Sequence, residues 1–279
     1  MVRIITDSSA DLEPREYEQL NITCIPLTVF FGDQEYQENV NLSKDQFYDL
    51  VAAGGVPKTA QPSPQILMDL FEEAKAAGDE AIYFSISAAI SGTYQTACAT
   101  KSLVDCGDCY VFDSKNATGG LRVLLEEAVR LRDAGKNAKE IMAGVEALQG
   151  RIVLYACMDT LEYLYRGGRI SQTVYKLGTM AQVKPIIRVT EEGAIEVPAK
   201  AMGMRKGMDM LCKRVEAQKP SKNHSFYAMY TGDRKNGQLL AEKFRAMGYD
   251  IPEERIINVG AAIGSHVGPN ACGMVYIAE

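Results

Sequence analysis

Ser91 lies where an apolar run, Glu80 to Ser87, gives way to a helical pattern beginning at Gly92. Backbone N–H groups at a helix start favour an anion, and a serine hydroxyl beside them adds one more donor. The same hydroxyl can instead cap the helix, and the residues leave both roles open. Thr59 and Gln61 sit in Pro57-Lys58-Thr59-Ala60-Gln61-Pro62-Ser63, a loop stiffened by two prolines, where such side chains can hold a ligand oxygen. Thr6-Asp7-Ser8-Ser9 follows the first strand and Asp113-Ser114 a later one, placements that suit either a ligand or an Asx or Ser turn. Arg166-Gly167-Gly168-Arg169 and Gly264-Ser265-His266-Val267-Gly268-Pro269 read as Gly-flanked turns that carry charge or potential charge. Together these segments point to a site where two domains meet.

The elements that must position them fall into two groups. Val2 to Thr6, Thr23 to Phe31 with a short return strand near Glu35 to Gln37, Glu80 to Ser87, Cys109 to Phe112 and Arg151 to Cys157 read as strands. Helical patterns run from Lys44 to about Ala53, from Ser63-Pro64 to about Ala76, and from Gly92 to Val104. Two more run from about Asn116 to Asp133 and from about Ala138 to Leu148. Strands separated by helices predict crossover units and a mostly parallel sheet covered on both faces, with ligands gathered beyond the carboxyl ends of its strands. The second half changes character. A helical turn at Leu161 to Tyr165 precedes a hairpin, Lys184 to Val189 and Ala194 to Val197, joined across Glu191-Glu192-Gly193. Helices from Arg205 to Ala217 and Gly237 to Met247 then alternate with strands at Ser225 to Tyr230, Arg255 to Val259 and Cys272 to Ile277. The expected fold class is α/β with two domains: residues 1–160 an α/β unit, residues 161–279 an α+β unit with an antiparallel element.

Composition narrows the chemistry. Thirty Lys plus Arg against 36 Asp plus Glu leave a net charge of −6, which disfavours a nucleic-acid partner. With only two histidines, His224 and His266, histidine-rich metal sites and His-pair acid/base schemes are excluded, and His224 reads as ordinary surface. The seven scattered cysteines predict mostly buried thiols in a reducing compartment. Cys106-Gly107-Asp108-Cys109 has redox or zinc spacing but lacks a second cysteine pair, so a turn is expected there. No window is long and apolar enough for an integral membrane segment, and the opening residues lack a signal-peptide core, so a cytoplasmic protein is expected. A hydrolase of a small acid or ester, with Ser91 as nucleophile and His266 as base, is the rival from another class. Ile90-Ser91-Gly92 lacks the preceding glycine of the G-x-S-x-G elbow, and no phosphate-binding P-loop run occurs.

Five segments in register resemble the DegV family. They are Thr6-Asp7-Ser8-Ser9 with Asp11-Leu12, Lys58-Thr59-Ala60-Gln61-Pro62-Ser63, and Ile90-Ser91-Gly92-Thr93-Tyr94-Gln95. Leu161-Glu162-Tyr163-Leu164 with Gly167-Gly168-Arg169-Ile170-Ser171, and His266-Val267-Gly268-Pro269, complete the set, so the resemblance spans essentially the whole chain. It implies a non-catalytic protein holding one long-chain fatty acid, such as palmitate, in a tunnel between the domains, without metal or other cofactor. Carried over residue by residue, it implies that Thr59 and Ser91 bind the carboxylate, with Arg169 and His266 at the tunnel mouth. Some family members carry the acyl chain for a fatty acid kinase. Here Met202 and Met204 stand where kinase-partner members have Arg, which argues against that docking, and Ala60 replaces a usual Ser. Two hydroxyls alone compensate a buried carboxylate poorly, so helix N–H groups, Arg169 or His266 are expected to help, or the acid binds protonated. The twelve methionines suit a pliable apolar lining.

Overall fold

The computed structural model describes residues 1–176 and 182–279. In chain order its first elements are β1 (Val2–Asp7), α1 (Pro14–Gln19), β2 (Ile22–Ile25), β3 (Thr28–Phe31), β4 (Gln34–Gln37), α2 (Lys44–Ala52), β5 (Pro57–Ala60) and α3 (Pro64–Ala77). There follow β6 (Glu80–Ser85), α4 (Thr93–Val104), β7 (Cys109–Asp113), α5 (Gly119–Asp133) and α6 (Ala138–Gln149). The remainder is β8 (Ile152–Cys157), α7 (Glu162–Arg166), α8 (Gln172–Lys176), β9 (Val183–Val189), β10 (Ile195–Met202), α9 (Met204–Ala217), β11 (Tyr227–Tyr230), α10 (Lys235–Ala246), β12 (Ile256–Asn258), α11 (Ala261–Val267) and β13 (Cys272–Ile277).

The first sheet has the order β2-β1-β6-β7 and is parallel throughout. Chain direction across it reverses between β1 and β6, which opens a crevice at their carboxyl ends. Helices α3 and α4 cover one face through Leu67, Phe71 and Ala97, and α5 and α6 cover the other through Leu121, Leu124 and Ile141. Ser43 starts α2 with a reciprocal box: its hydroxyl accepts the Gln46 N–H at 3.2 Å, and the Gln46 side chain accepts the Ser43 N–H at 3.0 Å.

The second sheet has the order β10-β9-β8-β13-β11-β12, antiparallel except for the β11–β12 pair. Segment 152–157, expected to close the parallel series, pairs instead with β9 and β13. We therefore place the dividing line between the sheets ahead of β8. Helix α5 is buried on nearly all sides because it lies between the sheets, with Val123 and Leu125 sharing a core with Phe84, Leu154 and Val275. Helices α9 and α10 cover the outer face through Leu211 and Phe244. The architecture is thus mixed α/β, with a parallel N-terminal sheet and a largely antiparallel C-terminal one.

Four local expectations are corrected. Pro57–Ala60, expected as a loop, is an edge strand antiparallel to β3, where a proline removes no needed ladder bond. Residues 264–269, expected as a Gly-flanked turn, begin inside a helix instead: Gly264 to Val267 are the last four residues of α11, and Gly268-Pro269 follow it. Cys106 and Cys109, expected as thiols on a turn, are joined in a disulfide, leaving five free cysteines. His224, read as surface, is half-buried with its Nδ1 3.1 Å from the Ser221 hydroxyl.

Candidate functional site

Beyond the carboxyl ends of β1 and β6, a cavity of about 670 Å³ lies between the two sheets. Its floor is one row of the second sheet: Ile187, Ala156, Gly273 and Met229 are paired in register across β9, β8, β13 and β11. Gly273 and Ala156 are the smallest residues of that row and leave room above the sheet. Val259, Ile263, Ile86 and Leu27 contribute further apolar walls. Among the described residues Met229 is the one methionine of the lining, and most of the others lie in or pack against the hydrophobic cores.

Polar groups gather where the lining becomes half-exposed. The period-2 alternation of β5 half-buries Thr59 and leaves Lys58 and Ala60 exposed. There Thr59 Oγ1 lies 3.0 Å from His266 Nε2 of α11. Ser91, ahead of α4, accepts the Thr93 N–H at 3.3 Å and lies 2.8 Å from the Thr93 hydroxyl. Arg169 follows α7 and donates from Nε to the Ile90 carbonyl at 3.1 Å and from Nη1 to the Gly167 carbonyl at 2.5 Å. The four residues expected at the site, Thr59, Ser91, Arg169 and His266, all line this one cavity. Ser63 holds the N-cap position of α3 without capping it, and Ser63, Gln61 and Thr96 also face the cavity. The Thr96 hydroxyl donates to Gln61 Oε1 at 2.5 Å.

The electrostatics are one-sided. No carboxylate lines the cavity, and Arg169 is its one ionised side chain among the described residues. Burial lowers the Arg169 guanidinium from its usual value, yet it stays cationic. Burial, reinforced by the Arg169 charge, pushes His266 down to about 4, so its imidazole is neutral near pH 7. A neutral His266 takes part through hydrogen bonds, and Arg169 carries the charge.

The hydrolase arrangement is absent. Ser91 pairs with Thr93 while His266 pairs with Thr59, and His266 Nδ1 has no partner to orient the ring as a base. Among the described residues no cluster of His, Cys, Asp or Glu could hold a metal, and no helix is long and apolar enough to cross a membrane. Asp7 and Asp113 are structural. Asp7 accepts the Ser9 and Ile86 N–H groups and the Tyr83 hydroxyl, and Asp113 accepts the Ala88 and Lys115 N–H groups. Arg166 faces solvent and pairs with Glu162.

Sequence reasoning missed the support behind α11. Asp11 accepts the Gly260 N–H at 2.8 Å and the Thr118 hydroxyl, while Glu38 accepts the Ala262 N–H at 3.1 Å and the Ser8 hydroxyl at 2.6 Å. Nothing local in the chain marks Glu38, because its partners lie 30 and 224 residues away. Burial pushes Asp11 up to about 6, and burial with the neighbouring Asp11 charge pushes Glu38 up to about 7.

Known proteins are similar to this chain from end to end in sequence and fold. A DegV domain-containing protein of Caldanaerobacter subterraneus is 30% identical over 277 residues, covering 99% of this chain and 98% of that one. A solved DegV family protein from Thermus thermophilus, described by its fatty-acid binding, superposes with a TM-score of 0.89 at 28% identity, covering 100% of this chain and 99% of the other. A stearic-acid-binding protein from Eubacterium ventriosum superposes with a TM-score of 0.86 at 25% identity, covering 99% and 98%. The model of the DegV family, described as one of uncharacterised proteins, matches residues 1–279. The chain belongs to the DegV family.

Proposed function

We propose that the protein binds one long-chain fatty acid, such as palmitate, in the cavity between its sheets, with no catalysis and no cofactor of its own. The observation that carries this reading is the lining: an apolar interior and, among the described residues, no carboxylate and a single cation beside hydroxyl donors. The acyl chain lies against the Ala156–Gly273 floor, and its carboxylate takes hydrogen bonds from Thr59 and Ser91. Arg169 supplies the counter-charge, so the acid binds ionised, and neutral His266 supports Thr59. Burying about 14 methylenes at roughly 0.8 kcal/mol each contributes on the order of 11 kcal/mol before the costs of association, enough to retain lipid through purification. The solved relatives described as binding fatty acid and stearic acid support the same ligand class.

Lipid carriage is the broad form of this function, and presentation of the carboxylate to a kinase subunit is the narrow one. Met202 is exposed, and Met204 packs against Cys272 at the foot of α9, so neither offers the charge expected of a kinase dock. Carriage is therefore the reading favoured here. Denaturing the purified protein and weighing the extract by mass spectrometry tests it. Stoichiometric long-chain acid is expected; no lipid, together with Ser91-dependent ester hydrolysis, overturns it. Unchanged occupancy in the Thr59→Ala, Ser91→Ala double variant overturns the carboxylate assignment.

A further inference from the structure

Helices α7 and α11 are clasped by two ring-on-glycine contacts. The His266 ring of α11 sits over Gly167, where an added Cβ would lie 2.1 Å from Nδ1. Reciprocally, the Tyr163 ring of α7 sits over Gly268, where an added Cβ would lie 2.3 Å from the ring. Gly167 has an ordinary helical φ of −73°, so its backbone does not demand glycine; the space taken by the imidazole does.

That contact decides which ring nitrogen carries the proton. Nδ1 is buried and unpartnered. The Gly167 N–H beneath it is already donated to the Tyr163 carbonyl at 2.9 Å, and the Gly167 carbonyl accepts Arg169. A proton on Nδ1 would be a buried N–H without an acceptor, a rarer condition than an underfilled acceptor. Nε2 is satisfied in either state, because Thr59 Oγ1 can donate to it or accept from it. The two tautomers differ in what they leave Thr59. If Nε2 accepts, the Thr59 hydroxyl hydrogen is consumed; if Nε2 donates, that hydrogen is free for a ligand oxygen.

We propose that Gly167 and the unpartnered Nδ1 fix His266 as the Nε2–H tautomer, so that His266 donates to Thr59 and turns the Thr59 hydroxyl toward the bound carboxylate. His266 and Gly167 are then positioning residues that act through Thr59. This rests on the fatty-acid reading above, and the experiment separates the two.

The full chain, labelled with 15N in its histidines and loaded with 13C-carboxyl palmitate, is observed by NMR at pH 7. A neutral His266 with its proton on Nε2 is expected; an Nδ1–H tautomer or an imidazolium overturns the proposal. Palmitate dissociation is then measured by exchange against a fluorescent fatty-acid analogue. Thr59→Val should release palmitate about tenfold faster, the loss of one hydrogen bond to a charged group. His266→Ala and Gly167→Ala should each move the 13C carboxyl resonance and speed release, and neither should add to the effect in a Thr59→Val background. Full additivity overturns the relay. If Thr59→Val releases palmitate at the wild-type rate, the carboxylate assignment fails instead, whatever the tautomer.

Discussion

Two polar clusters tie the first lobe to α11, and they end in opposite states. At the start of the helix Asp11 and Glu38 are sealed from solvent, and each of their four carboxylate oxygens meets a donor: Gly260, Thr118, Ala262 and Ser8. Toward its end, His266, Thr59, Ser91 and Arg169 are half-buried around a cavity that contains no acid. Burial acts on both clusters, raising the two acids and lowering the histidine. What separates them is whether the partners are complete. A buried polar cluster with every acceptor filled from within holds the fold, whereas one with a surplus of donors and an unmatched cation is a place for an acid from outside.

The largest way to break that contrast is Asp11→Ala. It leaves the buried Gly260 N–H without an acceptor and the Thr118 hydroxyl with only the weak Met229 sulfur 3.7 Å away, and should cost about 3 kcal/mol of unfolding free energy in urea melts of lipid-free protein. Thr59→Val takes the partner from His266 Nε2 and should cost about 1 kcal/mol in the same melts, well below Asp11→Ala. Equal stability for Asp11→Ala and wild type would remove the structural role given to the sealed cluster.

The clusters should also respond to pH with opposite signs. Asp11 and Glu38 hold protons more tightly folded than unfolded, so their contribution is complete below their ordinary values of 3.8 and 4.5. It is lost as pH rises through about 6 and about 7. His266 is depressed, so its contribution is present above its ordinary 6.5 and lost as pH falls through about 4. Glu38→Gln should flatten the decline between pH 5 and 8, an effect on the order of 1–3 kcal/mol read from urea midpoints across that range. A decline as steep as that of wild type would show that Glu38 is not its source.

The open cluster was legible in the chain and the sealed one was not. Ser91 at a strand-to-helix junction and Thr59 between prolines advertise donors locally, and the apolar periodicities around them marked most elements to within a few residues. Helix α11 stayed hidden because it is seven residues long, contains Gly264, and ends in Gly268-Pro269. Its first turn is held by carboxylates 249 and 224 residues away in sequence. Strand β5 was obscured by Pro57, a residue that reads as a breaker until the strand proves to lie at a sheet edge. The apolar run of β8 announced a strand but not its sheet, since burial on both faces looks the same beside parallel or antiparallel neighbours.

Within the open cluster the residues should differ in weight. Arg169→Gln removes the one charge facing the ligand and should speed palmitate release roughly ten- to thirtyfold, more at low than at high ionic strength. Its unfolding free energy should stay within about 0.5 kcal/mol of wild type, because among the described residues Arg169 bonds only to two backbone carbonyls. A large loss of stability would move Arg169 to the sealed side of the comparison.

Ser91→Ala should have the smallest effect, about threefold on release, near 0.7 kcal/mol. Its oxygen already accepts the Thr93 N–H and shares a hydrogen with the Thr93 hydroxyl 2.8 Å away. Whichever of the two hydroxyls donates to the other, only one hydrogen of the pair remains for a ligand. Thr93 is buried and lies outside the cavity lining, so it cannot take the place of Ser91. Thr93→Val, which removes the partner of the Ser91 hydroxyl without altering the lining, should change palmitate release by less than Ser91→Ala does. An equal or larger change would mean that Ser91 belongs to the turn ahead of α4 rather than to the donors around the acid.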